Sequence, residues 1–273
     1  LVFAAGRAGW FPSLAENVGI ELLTSAGVNA AGLATAAARN RRKLETADGD
    51  TFYSMLAAAD TIAKRNELPR PQSLAPLTLL QRPQEHHGNW IGMRATTVRI
   101  TKINVTDAPR VEELGQDHYF QIDSSGDLGK TIVKLKRADG EPIEISGKYP
   151  ISLVSLRLPP FLREPFESEQ SVVQMTSQPV RIEGFFYRLW SYRNEFIDRR
   201  GGGNQVGPLI VVSRWKPVED STRKDDDIAV LGYVMAAGVI LAIFATFVWS
   251  RQNATVDAKV RENQQVNVDI KLD

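Results

Sequence analysis

The chain has 273 residues, with 33 Lys and Arg against 32 Asp and Glu and a formal net charge of +1. Such a balance lacks the broad basic field that draws a protein to nucleic acid or to acidic membranes, so no bulk pull toward either is implied and nucleic acid is not an expected partner. It contains no cysteine, which excludes a disulfide framework, a thiolate metal site and a cysteine nucleophile.

The opening Leu1-Val2-Phe3-Ala4-Ala5 has no basic flank and is too short for a signal peptide, so a start is expected to be missing. Residues 1–70 read as an amphipathic helical region. Ser13-Leu14-Ala15-Glu16 has capping-box form and predicts a helix running to about Ser25. The Ala-rich stretch from Asn29 to Glu45 predicts a second, with Arg39, Arg41, Arg42 and Lys43 in its last turns, where the helix dipole favours cations. A third follows Asp50. Phe52, Met55, Leu56, Ala59, Ile62 and Ala63 fall on one of its faces, and Pro69 and Pro71 stop it.

Residues 71–89, rich in Pro and Gln, read as a linker. From Trp90 the period changes to two. Val98 and Ile100 alternate with polar neighbours, and Ile103 and Val105 resume after a slip, which predicts a bulge in a long bent strand. Tyr119–Ile122 is a second strand. Thr131–Arg137 and Pro142–Ser146 flank Asp139-Gly140, a strong hairpin signal. Ile151–Leu156 follows, ended by Pro159-Pro160. Val180–Tyr192 carries Gly184 inside it, which predicts a bulge or corner, and Pro208–Trp215 is the last strand. Short strands with such bends match a small antiparallel OB-like β-barrel over residues 90–219, with a two-layer sandwich as the second choice. The fold class is therefore α+β.

Ile228 to Trp249 is an uncharged apolar run whose polar side chains are Tyr233 and Thr246. At ~1.5 Å per residue it covers about 33 Å, enough for a hydrocarbon core of ~30 Å. It predicts a single C-terminal transmembrane helix, and the chain as an integral membrane protein with a polar tail over 250–273. The basic residue bordering the run is Arg251, which orients the tail to the cytoplasm and the large domain extracytoplasmically. Gly238, Ala242 and Thr246 form a small-residue ridge of the kind that lets two helices pack, so a homodimer or a protein partner is considered.

Chemistry-bearing motifs are sparse. Gly126-Asp127-Leu128-Gly129-Lys130-Thr131 resembles the tail of a phosphate loop. Ser124 stands where a Gly is needed, and Ile132–Leu135 alternates like a strand, so a polar turn is expected. His86 and His87 are adjacent and diverge, so they read as solvated linker residues; no metal site or cofactor is expected. No nucleophile elbow or His–carboxylate pair is spaced for catalysis, so no catalytic residue is assigned. The candidate ligand-binding residues are Arg181, Phe185, Tyr187, Arg188, Trp190, Tyr192 and Arg193, where aromatics and arginines interleave on one strand. Aromatic faces stack on bases or sugars, and Arg pairs with phosphate or carboxylate. The competing reading is that the aromatics fill the barrel.

Phe52-Tyr53-Ser54-Met55-Leu56, Gly88–Arg94, His118-Tyr119-Phe120, Leu158-Pro159-Pro160, Gly184–Tyr192 and Gly207-Pro208-Leu209-Ile210 give the chain a resemblance to a group of uncharacterised bacterial single-pass membrane proteins. The resemblance implies an envelope protein with helices, an OB-like barrel and a membrane anchor, and brings no catalytic residue with it. The functional expectation is a membrane-anchored, non-enzymatic binding or scaffolding module. An envelope enzyme acting on a polymer or lipid, and a structural subunit of a membrane complex, are the alternatives.

Overall fold

Polar caps and tight turns cut the N-terminal region into helices. In the computed structural model, residues 17–135, 143–166, 172–193 and 204–218 are described. Helix α1 (Val18–Ser25) starts where the Asn17 side chain accepts from the amides of Gly19 and Ile20. The predicted cap at Ser13 and its partner Glu16 lie outside the described residues. Helix α2 (Ala30–Ala38) is capped by Asn29 and ends well short of Glu45. The chain leaves the helix at Arg39 because residues 40–42 are used elsewhere. Arg41 takes φ +66°, and its amide donates to the Leu189 carbonyl. Helix α3 (Gly49–Ala63) follows the pattern closely, burying Phe52, Met55, Leu56, Ala59 and Ile62 on one face.

The stretch expected as a linker is packed structure. It holds β1 (Gln72–Ser73), α4 (Pro76–Gln81) and a 3-10 turn at Pro83–Glu85, and Leu79 is fully buried. Strand β2 (Trp90–Asn104) is long and bulged as predicted, but the irregularity lies between Thr97 and Arg99. It therefore splits a pair expected to share a face: Val98 is 42% exposed and Ile100 1%. After α5 (Ala108–Leu114), β3 (His118–Leu135) extends much further than Tyr119–Ile122. The stretch from Gly126 to Thr131 is no turn but part of β3, with register shifts around Gly129 at φ +61°. Strand β4 (Ile143–Ser155) joins two predicted strands into one. Next come α6 (Pro160–Arg163), β5 (Val173–Met175), β6 (Pro179–Arg193) and β7 (Asn204–Pro217).

Among the described residues five strands close a ring in the order β2, β3, β4, β7, β6 and back to β2. A ring with an odd number of strands cannot be antiparallel throughout. The expected antiparallel barrel is corrected at one contact: Ser152–Val154 of β4 runs parallel to Leu209–Val211 of β7. Closure at β2–β6 favours the barrel over the sandwich, and the ring resembles an OB-like barrel. Gly184 is where β6 bends. A Cβ there would lie 2.4 Å from the Val211 carbonyl oxygen, and the β6–β7 register shifts at the same point.

One apolar core fills the barrel, including Ile91, Ile122, Leu153, Phe186 and Ile210. Two short helices plug it: Leu79 of α4 from one end, Leu162 of α6 with Leu158 from the other. A second core lies outside the wall, where Leu23, Met55, Leu56 and Ile62 pack on Val154, Phe185, Leu209 and Val211. Each such side chain contributes roughly 1.5–3 kcal/mol of transfer free energy. The helices are thus a second skin over β4, β6 and β7. The described residues, which end at Val218, belong to one compact unit. The predicted transmembrane helix over 228–249, its ridge of Gly238, Ala242 and Thr246, and the tail lie outside the described residues. Among the described residues no helix is long and apolar enough to cross a membrane.

Candidate functional site

The aromatic and arginine strand is β6, and the structure divides its candidates into three groups. Phe185 and Tyr187 are 0% and 2% exposed, facing the helices. Phe185 packs against Trp90 at 4.9 Å between ring centroids, and Tyr187 meets Phe52 edge-on at 6.0 Å. Burial pushes the Tyr187 phenol up to about 12, with the nearby Asp48 carboxylate adding to the rise. These two side chains hold the helical layer to the barrel.

Arg188 is fully buried and acts as a clamp. One terminal nitrogen donates to the carbonyl oxygens of Arg39 and, at 3.0 Å, Arg42. The other donates to the Lys43 carbonyl at 3.1 Å and the Asp48 carboxylate at 2.9 Å. Asp48, 3% exposed, also accepts from the Arg39 side chain at 3.0 Å and from the Glu45 amide at 2.9 Å. The planar fork suits this work, since it serves several acceptors at fixed angles. Backbone bonds continue the seam. The Leu189 amide donates to Asn40 Oδ1 at 2.9 Å, and the Ser191 amide to the Arg42 carbonyl at 3.1 Å. Residues 39–43 therefore cover an edge of β6 that β2 leaves unpaired beyond Phe185.

Trp190 and Tyr192 form the third group, and Arg193 and Arg181 fall outside all three. The two rings are half-buried and stacked at 4.9 Å with 22° between ring planes. Arg193 ends β6 opposite Asn204, and its side chain is outside the description. Arg181 stands alone at the other end of the strand and is exposed. At ~3.3 Å per residue it lies roughly 30 Å from Trp190 along the strand, so the seven candidates do not converge on one site.

What Arg181 joins is a group that the sequence pattern did not reveal. It sits directly opposite Arg94 on β2 and Lys216 on β7, and directly opposed residues share a face. All three are exposed. Lys216 pairs with Glu183 at 2.5 Å, while Arg94 and Arg181 have no ion pair among the described residues. Lys148 reaches the same region, donating to Thr96 Oγ1 at 3.3 Å. The signal was hidden because these cations are far apart in the chain and their register depends on bulges.

The histidines also differ from expectation. His86 is buried, and His87 stacks on Phe186 at 5.4 Å while its Nδ1 donates to the Tyr187 carbonyl at 2.9 Å. Burial holds both imidazoles below their ordinary value. Among the described residues no three His, Cys, Asp or Glu side chains group as a metal site.

No protein-family model and no curated protein matches the chain. Among solved structures, it is similar to a small single-stranded DNA-binding protein from Streptomyces coelicolor, at 13% identity over 48% of this chain and 95% of that one, with a TM-score of 0.24.

Proposed function

We propose that the chain is a membrane-anchored, non-enzymatic module whose OB-like barrel serves as a rigid platform for a partner of the cell envelope. The observation that carries this reading is the double burial of the barrel. Its interior is filled and plugged by the chain's own side chains, and its β4, β6 and β7 wall is covered by its own helices. Among the described residues, the outer surface of β2, β3 and β5, with the start of β6 and the end of β7, is what remains for recognition. The anchor in this reading is the Ile228–Trp249 run, which has spanning length and no charge. A self-associating structural subunit is the second reading. It is favoured by the exposed Val98, Val172, Val173 and Met175 around the short strand β5.

The full chain should stay with membranes through an alkaline wash and enter detergent extracts, and deleting Ile228–Trp249 should release it. Affinity recovery from solubilised native membranes then compares the natural chain with Val173→Asp/Met175→Asp. A partner lost in the variant at unchanged melting temperature supports the platform. Recovery of the chain alone, with crosslinks only to itself, supports the structural subunit.

A further inference from the structure

We infer that the row Arg94–Arg181–Lys216 is a docking surface for the anionic headgroups of a phospholipid bilayer. This rests on the anchored reading above. Three cations stand side by side across three hydrogen-bonded strands. Like charges directly opposed in a sheet destabilise it, and Arg94 and Arg181 have no carboxylate partner among the described residues to relieve them. Thr96, on the same outer face two residues from Arg94, brings Lys148 toward the row. The acids nearest in register are Glu183, held by Lys216, and Asp127, opposite Lys148. The Asp127 carboxylate accepts from the Gly129 amide. An arrangement that costs folding stability and presents two guanidinium groups with no ion pair among the described residues is suited to an external anion.

Two observations select lipid among anions. First, the row's members are all aliphatic cations or guanidinium groups. Its flanking outward positions on β2 and β6 are Thr96, Gly92, Glu183 and Pro179, with no aromatic face for a base to stack on. Second, the apolar run begins at Ile228, twelve positions after Lys216, and the stretch between them carries five acids against Arg223 and Lys224, so the row and not this stretch would supply the attraction. At ~3.3–3.6 Å per residue, that stretch spans at most about 43 Å, so an inserted run confines the row to the neighbourhood of a bilayer. Tethering raises the local lipid concentration and makes weak charge contacts sufficient.

The test uses the full chain reconstituted into vesicles of phosphatidylcholine alone or mixed with phosphatidylglycerol. Because the sequence has no cysteine, Ser73→Cys provides a single labelling site. Ser73 is exposed and pairs with Gly92, two residues from Arg94. Energy transfer from a dye there to a headgroup-labelled lipid reports apposition of the barrel to the bilayer. Transfer should be higher in the anionic vesicles, and the excess should vanish in high salt. In Arg94→Gln/Arg181→Gln the ratio of apposed to free barrel should fall by about 30-fold, with melting unchanged or raised.

Equal transfer in both lipids, or an excess that survives the double variant, overturns the docking surface. Arginine-dependent binding of a single-stranded oligonucleotide with no lipid preference assigns the row to nucleic acid and overturns the lipid. Failure of the anchor reads differently, as a chain that does not float with phosphatidylcholine vesicles. Flotation confined to anionic vesicles and lost in the double variant would then leave the docking surface standing without the anchor.

Discussion

The two walls of the barrel are built from different sequence and exposed to different surroundings. On the wall of β4, β6 and β7, Ile151–Leu156, Phe185-Phe186-Tyr187 and Leu209–Val212 run apolar or nearly so, because one face meets the barrel core and the other the helices. On the wall of β2 and β3, Arg99-Ile100-Thr101 and Gln121-Ile122-Asp123 alternate, because their outer face meets solvent. A continuous apolar strand in a largely antiparallel barrel therefore signals a second layer. Here that layer is the N-terminal helices, whose apolar stripe has no other use among the described elements. The largest test of this contrast is the buried clamp against its open counterpart. Arg188→Met strands the Asp48 carboxylate and several carbonyls, and should cost about 3–5 kcal/mol in urea unfolding. Arg188→Lys should not restore it, since an ammonium cannot reproduce the fork. Arg99→Met, which removes a half-exposed pair with Asp123 at 2.6 Å, should cost at most about 1 kcal/mol. Equal losses would mean that the walls do not differ in this way.

Apolar packing gives the next comparison. Leu209 is fully buried between β7 and the helical layer, and Leu209→Ala should cost about 2–5 kcal/mol. Thr101 lies on the open wall, opposite Gln121 and Val173, where truncation to Ala should stay within about 0.5 kcal/mol. A Leu209→Ala cost near the Thr101→Ala value would show that the helices only rest on the barrel.

The same contrast explains what could be read from the sequence. The stripe of α3 and the bend at Gly184 were legible, because periodicity and a glycine in a strand report local geometry directly. The bulge at Val98 was misplaced, since alternation on either side of an extra residue looks alike until a partner strand fixes the register. Residues 40–42 looked helical by composition, yet their hydrogen bonds go to β6, a long-range demand that overrides local propensity. Arg188 looked like a ligand contact because it interleaves with aromatics on one strand, and the partners that bury it are Asp48 and backbone carbonyls that any residue type supplies. The cationic row was invisible for a related reason: it exists only once β2, β6 and β7 are aligned.

The smallest effect expected is one of pH, and it should act on the covered wall first. His86 and His87 lie at the edge of β6, with Glu85 and Arg82 near the first and Arg188 near the second. Burial is the leading cause of both lowered values, offset in part by Glu85 for His86 and by the Tyr187 carbonyl for His87. Below the ordinary imidazole value of about 6.5, the unfolded chain takes up protons that the folded chain refuses. Stability from this source is complete above that pH and is lost as pH falls through it toward the folded values. The melting temperature should drop by a few degrees between about pH 7.5 and 5.5. His86→Gln/His87→Gln should flatten that slope even if it lowers the starting point. Hydrogen exchange locates the effect. The amides of Gly88 and Phe186, which bond to the Phe186 and Asn89 carbonyls, should lose protection before those of Gln121 and Ile122 on the open wall. Uniform loss across both walls, or an unchanged slope in the double variant, would move the acid sensitivity to the carboxylates and away from this edge.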